Sequence, residues 1–223
     1  MSEILCDSSS IIALTTSCLD NVLPFLNKHG IDFIVPSFVK FEMVERPLRI
    51  ESKPYHMSAL KIRRLIETKV LLLVDAKEDP LADEILSYSN SLLKAKGKYI
   101  HLVDKGEAAM IAMARRLGIK NILMDERTTR MVIEAPYKLK EHLEAELRTK
   151  VDIEESSLRE IKDITKEMKV FRSSEMVYLA YKHGFFREWN EAEKEIAEAA
   201  LYRVKYDGCS IGFDELKEYG DLL

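Results

Sequence analysis

Four carboxylates stand where a strand-and-helix chain would bring chemistry together. Asp7 follows the apolar run Ile4–Cys6 and precedes Ser8, Ser9 and Ser10; Glu42 lies within FVKFEMVE. Glu107 stands three residues after Asp104 at the mouth of the apolar stretch AAMIAMARRL, and Asp125, with Glu126 beside it, ends the apolar run Ile122–Met124. Carboxylates gathered at one edge repel and raise each other's pKa unless a cation sits among them. Oxygen-only ligands suit Mg2+ or Mn2+, which bind through a few carboxylates, waters and phosphate oxygens. Such a site activates water and stabilises in-line displacement at phosphorus, so the implied reaction is phosphodiester hydrolysis.

Each acid also has a structural explanation. Asp7 and the serines after it are helix-capping residues. Asp104 and Glu107 fit a capping box, although Gly106 in the first turn costs helix stability and suggests close access beside Glu107. Asp125 can cap the helix that begins in DERTTR, where Arg127, Thr128 and Arg130 place guanidinium and hydroxyl groups suited to a phosphate. Glu42 falls on a predicted helix whose Phe38, Phe41 and Val44 are expected to pack inward, with Glu45 equally available.

The elements that must position these residues alternate. Apolar runs at Ile4–Cys6, Phe33–Val35, Val70–Val74 and Ile122–Met124 read as buried strands. Helical spacing appears from Ile11 to Gly30, after Ser37 until Pro47 breaks it, over Met57–Thr68, over Leu81–Leu93, and from Asp104 to Gly118. Strands alternating with helices predict a parallel sheet in an α/β fold, with ligands at the strands' C-terminal edge. Asp7 and Asp125 fall at that edge. Beyond about residue 150 charges dominate, and Ser174–His183 and Asn190–Tyr206 read as helices, so residues 151–223 are expected as a helical extension of a 1–150 domain.

With 223 residues, 47% of them hydrophobic and 32% charged, the chain is expected to fold as an ordinary globular protein, and its net charge of −4 argues against extended duplex binding. Local basic patches remain: Lys61, Arg63 and Arg64 follow an acid-free run that starts at Lys53 and holds Tyr55 and His56, a set able to grip RNA by charge and stacking or to form a solvated face. The three cysteines, widely spaced, imply neither a disulfide framework nor structural zinc. No leader or spanning segment is evident, so a cytoplasmic, non-membrane protein is expected. The five histidines lack metal spacing, and no glycine-rich nucleotide loop or G-x-S-x-G elbow occurs.

The order CDSSSIIAL, VPSFVKFEMV and GEAAMIAMARRLGIKNILMDERTTR resembles the PIN-domain family, in the branch whose third acidic motif reads Gly-Glu-Ala, over about residues 3–150. That resemblance implies a three-layer α/β/α sandwich with a mainly parallel sheet and a Mg2+- or Mn2+-dependent ribonuclease, in a family that includes the toxins of toxin–antitoxin pairs. It implies that Asp7, Glu42, Glu107 and Asp125 are the catalytic metal-binding acids, with Ser9 as the small hydroxyl residue after the first. On this basis Ser9, Arg127 and Thr128 are the expected substrate contacts, RNA the substrate, and an antitoxin, another protein or a second copy the further partner. The alternative is a non-catalytic scaffold of the same fold that binds RNA or protein.

Overall fold

The computed structural model describes residues 2–51 and 53–223. It runs β1 (Ser2–Cys6), α1 (Ser8–Thr16), α2 (Val22–Lys28), β2 (Ile31–Pro36), α3 (Ser37–Lys40), a π-helical turn (Phe41–Glu45), α4 (Arg46–Arg49), α5 (His56–Glu67) and β3 (Leu71–Val74). Next come α6 (Pro80–Asn90), β4 (Leu93–Ala95), β5 (Lys98–Tyr99), α7 (Lys105–Leu117), β6 (Asn121–Leu123), α8 (Arg127–Glu134), α9 (Pro136–Leu147), β7 (Val151–Ile153), α10 (Glu155–Thr165) and β8 (Lys169–Phe171). The chain closes with α11 (Ser173–Lys182), a 3-10 turn (Arg187–Ala192), α12 (Glu193–Tyr206) and α13 (Phe213–Leu222). Among the described residues no helix is long and apolar enough to cross a membrane.

The expected α/β class is found, with a five-stranded parallel sheet in the order β3-β2-β1-β6-β8. Four of its strands, β1, β2, β3 and β6, are the apolar runs of the sequence: Ile4, Leu5 and Cys6 of β1 and Phe33, Ile34 and Val35 of β2 are buried. β1 pairs with β2 from Ser2 opposite Ile31 to Leu5 opposite Ile34, and β2 pairs with β3 from Phe33 opposite Leu71 to Pro36 opposite Val74. Beyond β1 the ladder continues through the Asp7 N–H donated to the Leu123 carbonyl (2.9 Å) and the Met124 N–H donated to the Phe171 carbonyl (2.8 Å).

Two local expectations change. The single helix foreseen from Ile11 to Gly30 is two, because Cys18 adopts a left-handed φ of 61° and interrupts the ladder. Pro47 does not end its helix. Proline lacks the N–H that would pair with the carbonyl four residues back, and here the chain widens by one residue instead: the Arg46 N–H bonds the Phe41 carbonyl, and α4 continues to Arg49.

The chain divides into two compact units that cut across the expected boundary at residue 150. The first gathers residues 1–75, 123–125 and 171–223; the second holds 76–122 and 126–170. Nor is the stretch 151–223 purely helical, since it contains β7 and β8. In the first unit α11 packs against α1, α2 and α12, so the C-terminal helices share a unit with β1–β3. Arg172, its side chain 6% exposed, ties them together. Its guanidinium donates to both Glu175 oxygens and to Glu215 of α13, while the Tyr219 hydroxyl donates to Glu175 (2.7 Å).

The second unit has its own small antiparallel sheet, β5-β4-β7, with α6 packed on α7 and α10. Asn90 pins the chain after β5: its Oδ1 accepts from the N–H groups of Leu102 (2.6 Å) and Val103 (3.1 Å), and its Nδ2 donates to the Val103 carbonyl (2.9 Å).

Removing one member of a buried ion pair strands the other charge, at a cost of about 3–5 kcal/mol. Arg172→Ala is therefore expected to lower stability by about that amount in urea denaturation. Glu215, 44% exposed, should cost under about 1 kcal/mol when changed to alanine.

Candidate functional site

From β1 the chain fills the sheet outward through β2 and β3, then returns to the other side of β1 with β6 and β8. The order therefore reverses between β1 and β6, and ligands of open α/β sheets bind at such a reversal, outside the strands' carboxyl ends. Asp7 follows β1 directly, and Asp125 follows β6 by two residues. Both belong to the first unit.

A serine joins them. Asp7 caps α1: its Oδ2 accepts from the Ser9 N–H (3.2 Å) and the Ser9 hydroxyl (2.7 Å). The same Ser9 oxygen accepts the backbone N–H of Asp125 (3.1 Å). Asp7 Oδ1 has no hydrogen-bond partner among the described residues. Capping and an open oxygen thus coexist in one carboxylate, and Ser9 serves to align backbone and acid.

Asp125 is placed differently from the expectation. It is 2% exposed, and instead of capping the next helix it caps α11: Oδ1 accepts the Ser173 N–H (2.7 Å) and Oδ2 the Ser173 hydroxyl (2.7 Å). The Ser10 hydroxyl and Cys209 thiol lean toward the same carboxylate, Ser10 without reaching hydrogen-bond geometry. Burial pushes the Asp125 pKa up, and the bonds from Ser173 pull only part of the way back. Its neighbour Glu126 takes the capping role at α8, accepting from the N–H groups of Thr128 (2.9 Å) and Thr129 (2.5 Å).

Glu42 is exposed on the π-helical turn and makes no hydrogen bond or ion pair among the described residues, whereas Glu45 is held by Lys40 (3.6 Å) and Arg49 (3.5 Å). The structure thus separates two glutamates that spacing left equivalent. Such turns recur at functional sites because they re-aim side chains. Beside Glu42 opens a cleft of about 270 Å3, lined by Ile12, Arg46, Ile50, Tyr55 and Ser58.

In the second unit Glu107 adopts the capping-box role, its Oε2 accepting the Asp104 N–H (2.8 Å). Burial raises its pKa, with the nearby Glu126 and Asp104 adding to the rise. The Thr129 hydroxyl leans toward it without reaching hydrogen-bond geometry. A Cβ on Gly106 would meet nothing within 4 Å, so packing does not demand glycine there and the space stays open. Arg127 is exposed at the first turn of α8 and Thr128 half-buried beside it.

The expected basic grip is partly committed elsewhere. Lys61 pairs with Asp20 (2.6 Å), Arg63 approaches Glu67 (3.8 Å), and His56 bonds the Ile50 carbonyl (3.0 Å), leaving Arg64 and the 61% exposed Tyr55 open. Among the described residues no three His, Cys, Asp or Glu side chains are gathered as a metal ion would require. Sequence reasoning missed Ser173, the partner of Asp125: the capping box there runs from Arg172 to Glu175, and the acid that Ser173 meets lies 48 residues away. Compared with protein-family models, curated proteins and solved structures, the chain matches none.

Three measurements check these placements. Asp125→Ala strands the Ser173 N–H and hydroxyl and should cost about 3 kcal/mol in urea denaturation. The pH dependence follows from the sign of the shift. The folded carboxyl holds its proton more tightly than the unfolded one, so this group removes stability as pH rises from 3.8 through its raised folded value. Asp125→Asn should abolish that decline. Gly106→Ala, at an open helical position, should add about 0.5–1 kcal/mol, read as a rise in Tm.

Proposed function

We propose that the chain is a divalent-metal-dependent ribonuclease of PIN-domain type, its parallel sheet sandwiched between helical layers, and that it hydrolyses RNA phosphodiester bonds. The observation that carries this reading is Asp7: a carboxylate at the strand-order reversal, fixed through Oδ2 by Ser9 and unengaged at Oδ1. Glu42, unpaired on its π-turn, supports it as a second open oxygen donor. Carboxylate oxygens suit Mg2+ or Mn2+, which when bound would supply charge neutralisation and an acidified water.

In this proposal Ser9 orients Asp7, and Arg127 and Thr128 contact phosphate. Asp125, whose oxygens are both engaged by Ser173, acts here by fixing the backbone beside Asp7. Glu107 keeps its place from the family pattern, with burial the first cause of its raised pKa. A cytoplasmic setting belongs to the same proposal, as does an antitoxin-like inhibitor. So does a second copy, supported by exposed Leu72 and Leu73 on the edge strand β3.

A second reading has its own support. The capping roles of Asp7, Glu107 and Asp125, and the absence of a gathered acid set among the described residues, favour a non-catalytic scaffold of this type that binds RNA or protein. Cleavage of labelled single-stranded and structured RNAs in EDTA, Mg2+ or Mn2+, comparing wild type with Asp7→Asn at matched folding, separates the two. Metal-dependent cleavage that disappears in Asp7→Asn is the expected result. No cleavage of any RNA, with no metal-induced rise in Tm, would leave the scaffold.

A further inference from the structure

The second unit carries a feature that the carboxylate chemistry does not use. Between Glu84 and Asp104 the sequence has no acid, and its centre reads LLKAKGKYIH. This stretch folds into a tight hairpin: β4 and β5 pair antiparallel, Lys94 opposite Tyr99 and Ala95 opposite Lys98. The two-residue connection places both Lys96 (φ 49°) and Gly97 (φ 79°) in the left-handed region, the requirement of a type I′ turn, whose twist matches that of the strands it joins. The Ile100 N–H donated to the Leu93 carbonyl (2.9 Å) extends the ladder, and β7 pairs along the other side of β4. Lys94, Lys96 and Lys98 are therefore displayed on a braced element and not on a slack loop.

All three lysines are exposed, and Lys96 and Lys98 have no acidic partner among the described residues. The acid facing the hairpin by register, Asp152 opposite Lys94, is already bonded by Lys150 (2.9 Å). Tyr99 is 55% exposed, with the Lys94 ammonium 5.3 Å from its ring centroid. Exposed ammonium groups, two of them without an acidic partner among the described residues, beside a part-exposed aromatic ring provide two things that single-stranded nucleic acid recognition needs, phosphate neutralisation and a stacking platform. An acidic peptide would use the charges and leave the ring idle. A chain of net charge −4 that concentrates cations here has a local patch, not a diffuse positive field.

We propose that the β4–β5 hairpin is a single-stranded RNA-binding finger, in which Lys94, Lys96 and Lys98 neutralise phosphates and Tyr99 stacks on a base. The choice of RNA rests on the nuclease reading; the binding itself does not. The test is anisotropy of a short labelled single-stranded RNA, titrated with the full chain in EDTA across a salt series. Each phosphate neutralised on a single strand contributes about 0.7 to the slope of log K against log salt. The triple variant Lys94→Gln, Lys96→Asn, Lys98→Gln should therefore lower that slope by about 2. Asparagine is chosen at 96 because it tolerates the left-handed turn. Lys98→Gln alone, at an ordinary strand position, should lower the slope by about 0.7 and keeps the test valid if the triple variant misfolds. Tyr99→Ser should weaken RNA binding roughly 5- to 100-fold while leaving binding of polyglutamate unchanged.

Unchanged slope and affinity in folded variants would overturn the proposal. So would lysine variants that weaken polyglutamate and RNA alike with Tyr99→Ser silent, a result that points to an acidic protein partner. Hairpin-dependent binding by a protein that never cleaves RNA would uphold the finger and remove the nuclease reading, and cleavage without hairpin-dependent binding would do the reverse.

Discussion

One buried carboxylate organises the sheet edge. Asp125 gives both oxygens to Ser173, and with them it fastens the N-terminus of α11 beside the end of β6. A charge in an interior is tolerated only where hydrogen bonds replace its water, and a helix N-terminus, with free N–H groups and the positive end of the helix dipole, is a favourable replacement. The last fifty or so residues are thereby tied into the first compact unit, an attachment that the cluster around the adjacent Arg172 reinforces. Because the Asp125 backbone also donates to Ser9, the same clamp fixes the hydroxyl that aligns Asp7.

The two edge aspartates consequently divide their labour. Asp7, half-buried, is held by one oxygen and keeps the other open; Asp125, inside, is spent on architecture. An acid whose burial raises its pKa is a poor bare anion, whereas a partly solvated acid with a free oxygen is an available ligand. Glu42 completes the contrast, since the π-turn before Pro47 presents it without a partner among the described residues while its near-duplicate Glu45 is consumed by Lys40 and Arg49.

What the sequence made legible follows from locality. Buried strands announced themselves as apolar runs at β1, β2, β3 and β6, and the α7 helix by its caps, because those signals lie within a few residues. β8 escaped notice: Lys169–Phe171 is too short and too charged in its surroundings to read as a strand, and only pairing with a distant segment makes it one. The same holds for the site. The positions of Asp7 and Asp125 at the strand ends were readable, but which helix Asp125 would cap depends on Ser173, 48 residues away. Likewise the break at Cys18 and the π-turn at Glu42 arise from backbone geometry that side-chain periodicity does not encode.

The proposed metal chemistry rests on the open oxygen of Asp7, and Mn2+ tests it without requiring a substrate. In an amide NMR spectrum of the assigned protein, substoichiometric Mn2+ should broaden the resonances of Asp7, Ser8 and Ser9 first, and Asp7→Asn should remove that broadening while leaving the spectrum otherwise folded. Broadening confined to exposed acids elsewhere, or unaltered by Asp7→Asn, would contradict a metal site at the strand-order reversal.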